Sequence, residues 1–135
     1  MLKNILLIFI VALSFNFSFG ETNLKFITKK EKFKVGEDVC FEIINNNSST
    51  YYLPSSAPWA VFSTDTNSII YSPIAMQKIE KLKPGQRKEW CWKQIDINQD
   101  KVLTGKYKIR ITLFDSQGHK IFKTITVEIV PEYKN

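Results

Sequence analysis

Apolar and polar residues alternate with a period of two through most of this chain, and that pattern leaves few folds open. Leu24, Phe26 and Thr28 alternate with Lys25, Ile27 and Lys29. Val39, Phe41 and Ile43 alternate with Cys40, Glu42 and Ile44, until the polar run Asn45-Asn46-Asn47-Ser48-Ser49 ends the segment. Such segments are strands with one face turned to a core and the other to water. Further strands are expected at Tyr51–Leu53, Trp59–Phe62, Ile69–Tyr71, Arg87–Ile95, Gly105–Phe114 and His119–Val130. Pro84-Gly85 has type II turn chemistry, and Asp115-Ser116-Gln117-Gly118 reads as a tight hairpin. Pro54 and Pro58 bracket a stretch that cannot hold regular pairing. Only Ile74–Leu82 could form a helix, of one or two turns. Seven to eight short strands with turns between them predict an all-β chain, an immunoglobulin-like antiparallel β-sandwich.

The amino-terminal segment stands outside this pattern. Met1–Gly20 has one basic residue, Lys3, then an apolar run from Ile5 to Ala12, then small residues at Ser18 and Gly20. This is the layout of a signal peptide cut after Gly20, which makes 21–135 the folded domain. The expected location is secreted, periplasmic or at the cell envelope, with no membrane span after cleavage. With 44% hydrophobic and 24% charged residues in 135, the chain is neither disordered nor a coiled coil, and its length suits one domain. The formal charge is +6 and stays positive once Lys3 leaves, which favours anionic partners. Export argues against nucleic acid, and the lysine-rich stretches at Lys29–Lys34 and Lys78–Lys88 read as solvated surface.

Catalytic chemistry has little to draw on. His119 is the single histidine, and it follows Gly118 in the hairpin, a solvated position. The sequence has no Gly-x-Ser-x-Gly elbow, phosphate-binding glycine loop or His-Glu-x-x-His motif. One histidine and two cysteines are too few for a His/Cys zinc site. Asp96-Ile97-Asn98-Gln99-Asp100 imitates the start of a calcium loop, but Lys101 and Tyr107 occupy the places that need Gly and Glu. No catalytic residue, metal or cofactor is expected. Asn46 and Asn47 open overlapping glycosylation sequons in a loop.

Two local features are structural. Cys40 lies on the outward side of its strand, because Val39, Phe41 and Ile43 form the stronger buried set. Cys91 is placed outward in the same way by Trp90 and Trp92. In an immunoglobulin-like order their strands are antiparallel neighbours, so Cys40 and Cys91 are expected to form a disulfide on the solvent face of one sheet. Leu103-Thr104-Gly105-Lys106-Tyr107 has the form of a tyrosine corner, with the Tyr107 hydroxyl bonding back to the backbone upstream.

Several phrases resemble the intracellular proteinase inhibitor (BsuPI-like) family. They are Gly36-Glu37-Asp38-Val39 leading into Phe41-Glu42-Ile43-Ile44-Asn45-Asn46, Leu82-Lys83-Pro84-Gly85-Gln86 before Trp90-Cys91-Trp92, and Gly105-Lys106-Tyr107. The resemblance covers about Val35–Leu113 and implies a binding module that blocks a protease through exposed loops. The candidate protein-binding loop comprises Tyr51, Tyr52, Pro54, Ser55, Ser56 and Pro58, since aromatics and prolines offer contact area at low entropic cost. Trp92–Asp96 with Val102–Tyr107 is also similar to immunoglobulin-like modules of flagellar-hook and cell-surface proteins. The alternative is therefore a structural or adhesive module of the cell envelope, with a protein or an anionic envelope polymer as partner and no inhibitory activity.

Overall fold

The computed structural model describes residues 23–132; the predicted leader and its cleavage site lie outside them. Ten strands form two packed sheets, and no helix occurs among the described residues. The smaller sheet has the order β1 (Leu24–Thr28), β3 (Val39–Asn45), β8 (Arg87–Trp92). In the larger sheet β9 (Gly105–Phe114) pairs along its whole length with β10 (Lys120–Val130). Its other edge is shared by β4 (Tyr51–Leu53) and β5 (Trp59–Ser63). β6 (Ile69–Tyr71) extends the sheet beyond β5, β7 (Glu80–Leu82) beyond β4, and β2 (Lys32–Lys34) beyond β10. The architecture is an immunoglobulin-like β-sandwich.

The period-two pattern builds the core. Val39, Phe41 and Ile43 from the smaller sheet meet Trp59, Val61, Ile109, Ile111 and Leu113 from the larger one. Phe41 stands edge-on to Trp59 with ring centroids 4.9 Å apart, an arrangement that favours the aromatic quadrupoles. Trp92 is fully buried beside Tyr107 and donates its indole N–H to the Ile95 carbonyl at 2.8 Å. The Tyr107 hydroxyl donates to the Leu103 carbonyl at 2.6 Å, closing the tyrosine corner, and burial pushes its pKa up.

Three expectations need correction. The segment Ile74–Leu82 is not helical: Ile74, Met76 and Ile79 are exposed, and Glu80–Leu82 pairs with β4 to bury Leu82. The sandwich is not wholly antiparallel, since β2 runs parallel to β10. β8 stops at Trp92, short of Ile95, because Gln94 takes φ 60° and turns its side chain inward. There its amide donates to the carbonyls of Lys34 and Glu37, both at 2.8 Å, and its oxygen accepts from the Gly36 N–H at 3.3 Å. Gln94 thus pins the β2–β3 turn, where Gly36 supplies φ 90°.

Two surface carboxylates make the fold sensitive to acid. The Lys30 ammonium, with the Lys34 backbone N–H, holds Glu37 below its ordinary 4.5. The His119 backbone N–H, with the imidazole of that residue and the Gln117 N–H, holds Asp115 below its ordinary 3.8. Both folded-state values are depressed, so their stabilisation is complete above the unfolded values and fades as pH falls through the folded ones. The melting temperature should therefore be level above about pH 5 and fall below pH ~4, with a shallower fall in Glu37→Gln. An unchanged acid limb in that variant would contradict the assignment.

Candidate functional site

Cys40 and Cys91 lie directly opposite one another on β3 and β8, and they are disulfide-bonded with Cα atoms 4.0 Å apart. The bond sits on the outward face of the smaller sheet, where Cys91 is exposed and Cys40 half-buried. It ties two neighbouring strands and leaves the core apolar.

The predicted binding loop divides between core and surface. Tyr51 is buried in β4, with its hydroxyl accepting from the Asn47 amide at 2.8 Å, and Ser55 is buried as well. Neither can serve as a docking side chain in an exposed loop, because the alternation that starts at Tyr51 carries it and Leu53 inward. Tyr52, Pro54, Ser56 and Pro58 are half-buried. The Pro54–Pro58 stretch is better described as a clamp. The Ser56 N–H donates to the Met76 carbonyl at 3.1 Å, and the Met76 N–H donates to Ser56 Oγ at 2.9 Å. Trp90, reaching from the other sheet, donates its indole N–H to the Ser56 carbonyl at 3.0 Å. Ser55 Oγ accepts from the Ala57 N–H.

What the clamp holds is the segment missed in the sequence, Ser72–Ile79. From Ser72 to Met76 its residues alternate between exposed and half-buried, so the backbone is extended. Pro73 and Ala75 face the clamp while Ile74, fully exposed, and Met76, 66% exposed, point to solvent. Ile79 follows at 71% exposure. Scattered apolar residues are ordinary on a surface, but three within six positions on one braced segment form a presented ridge.

The other candidates are occupied by their own loops. The Asp96 carboxylate accepts from the N–H groups of Asn98 and Asp100 at 2.9 and 3.0 Å. The His119 ring contacts Asp115 at 3.0 Å on the surface. Among the described residues, no three or more His, Cys, Asp or Glu side chains converge as metal ligands.

No family model matches the chain, and no curated protein is similar to it in sequence. Similar solved structures include CopC from Methylosinus trichosporium OB3b, at 10% identity and TM-score 0.43, covering 83% of this chain and 96% of that one. The PapD-like domain 7 of human CEP192 is similar at 12% identity and TM-score 0.36, covering 83% of this chain and 88% of that one. The Pseudomonas fluorescens alkylpurine DNA glycosylase AlkC is similar at 13% identity and TM-score 0.40; 80% of this chain aligns with 30% of that one.

Proposed function

We propose that this chain is an exported, non-catalytic binding module that docks into a protease cleft through the Ser72–Ile79 ridge. The observation that carries this is the reciprocal pair of hydrogen bonds between Ser56 and Met76 beneath the outward-pointing Ile74 and Met76. An extended segment held from behind in this way loses little conformational entropy on docking, so a small contact can bind tightly. Protease clefts accept extended backbone with side chains on alternate faces, the geometry of Ser72–Met76; beyond it the chain turns, the Lys78 N–H donating to the Met76 carbonyl at 2.8 Å. The BsuPI-like phrases support the same reading. The disulfide is of the kind that persists in oxidising compartments, and the Met1–Gly20 pattern supports export.

The purified disulfide-bonded domain, titrated against a serine and a cysteine protease with a small peptide substrate, should lower the rate stoichiometrically. Ile74→Gly with Met76→Gly should weaken inhibition by about a hundredfold, as expected when two anchor residues are truncated. If no protease in a broad panel slows at micromolar domain, the inhibitory reading is abandoned.

A further inference from the structure

A second surface lies on the outer face of the larger sheet, centred on Arg110. Lys106, Lys108, Arg110, Thr112 and Phe114 project from β9 on the side away from the core, at same-face spacings of about 7 Å. Phe122, opposite Thr112, and Lys120, opposite Phe114, join them from β10, as Phe62 does from β5. The Arg110 guanidinium carbon lies 4.7 Å from the centroid of the Phe62 ring and 4.5 Å from that of Phe122. Two aromatic faces thus fix its position by cation–π attraction.

Among the described residues this cation has no salt-bridge partner. The ion pairs among the described residues join Lys30 to Glu37, Arg87 to Glu42, Lys88 to Glu80, Lys93 to Asp38 and His119 to Asp115, all away from Arg110. Arg110 Nε is buried without a hydrogen-bond partner. A buried donor left unpaired costs free energy. Lys108 donates to the neutral Asn67 side chain at 2.9 Å and lies over the Phe62 ring. A carboxylate enters the face at Glu128, opposite Lys106, so the uncompensated charge runs from Lys108 through Arg110 to Lys120.

Arg110 and Thr112 also line an open cleft of about 350 Å³, walled by the Pro54–Ala60 stretch and by Ser72, Pro73, Ala75 and Gln77. That volume is at the small end for ligand sites and suits one unit of a longer ligand. We propose that this face binds an anionic polysaccharide, one sugar unit seating its carboxylate on Arg110 in the cleft and the chain continuing over Phe122, Lys108 and Lys120. β9 is hydrogen-bonded on both sides, so the face offers no backbone edge for a peptide strand. It offers cations, threonine hydroxyls at positions 112, 124 and 126, and the half-exposed Phe122 ring. Those groups match hydroxylated, charged sugar rings.

The test is calorimetric titration of the disulfide-bonded domain with polygalacturonate, neutral pullulan and polyglutamate at low and physiological salt. Polygalacturonate should bind, pullulan should not, and salt should weaken binding. Arg110→Gln should weaken polygalacturonate binding by about tenfold while protease titration is unchanged, and Ile74→Gly with Met76→Gly should leave polymer binding intact. Equal binding by wild type and Arg110→Gln overturns the site. Tighter binding of polyglutamate, equal binding of pullulan, or no binding of polygalacturonate overturns the polysaccharide assignment. If Arg110→Gln does not fold, Lys108→Gln with Lys120→Gln serves instead: a several-fold loss supports the site and unchanged affinity overturns it.

Discussion

Replacing Cys40 and Cys91 together by serine should lower the unfolding free energy by about 4 kcal/mol, the chain-entropy value for a loop of this length. The two residues are 51 apart in sequence, so the bond removes a large loop-closure entropy from the unfolded chain. Its outward position makes the expectation clean. No core contact is lost with the sulfurs, because Val39, Phe41 and Trp92 supply the packing on the other face of the same strands. A domain with a total stability of about 5–15 kcal/mol would lose a large part of it. Urea unfolding of the oxidised protein and the double variant measures the difference; a loss below about 1 kcal/mol would show that the unfolded chain is already compact.

Asn45→Ala should cost about 3 kcal/mol, although an asparagine in an Asn-Asn-Asn run looks like loop filler. Asn45 is fully buried at the end of β3, and its amide donates to the carbonyls of Ser49 and Leu82, both at 2.8 Å. Its side-chain oxygen accepts from the Asn47 N–H at 2.9 Å. The backbone joins in as well, accepting from Gly85 at 2.7 Å and donating to Gln86 at 3.0 Å. The side chain therefore holds the Asn46–Ser49 turn and β7 together, while the backbone of the same residue holds the Pro84-Gly85 turn. Alanine leaves buried carbonyls without donors, the costly kind of loss. The exposed Asn46→Ala is the control and should change stability by less than about 0.5 kcal/mol. Equal effects at the two positions would refute the role given to Asn45.

Period-two patterning made most of the fold readable. It places Cys40 and Cys91 outward and Tyr107, Ile109, Ile111 and Leu113 inward, because a strand leaves each side chain only two choices. The same logic fails where the partner of a segment is distant. Ile74–Leu82 has apolar residues at helix-like spacings, yet Leu82 gains more by pairing through β7 with Tyr51, and the clamp at Ser56 holds the stretch up to Met76 extended. Tyr51 is legible as the start of a strand and also as part of an aromatic, proline-rich loop; the strand alternation decides between them and buries it with Leu53. Gln94 and Asn45 gave no signal, since their value lies in carbonyls brought near by tertiary structure. Arg110 falls on the polar side of an alternating strand, which in sequence does not set it apart from its lysine neighbours; its surroundings are defined only by β5 and β10 on either side.

The ridge is the centre of the account, and backbone hydrogen exchange tests it most directly. The domain is measured alone and with an equimolar amount of the protease it slows most. New protection confined to residues 54–58 and 72–79, with β9 and β10 unchanged, is the predicted result. Protection elsewhere with none in 72–79, or cleavage of that segment as fast as an unstructured peptide, would contradict it.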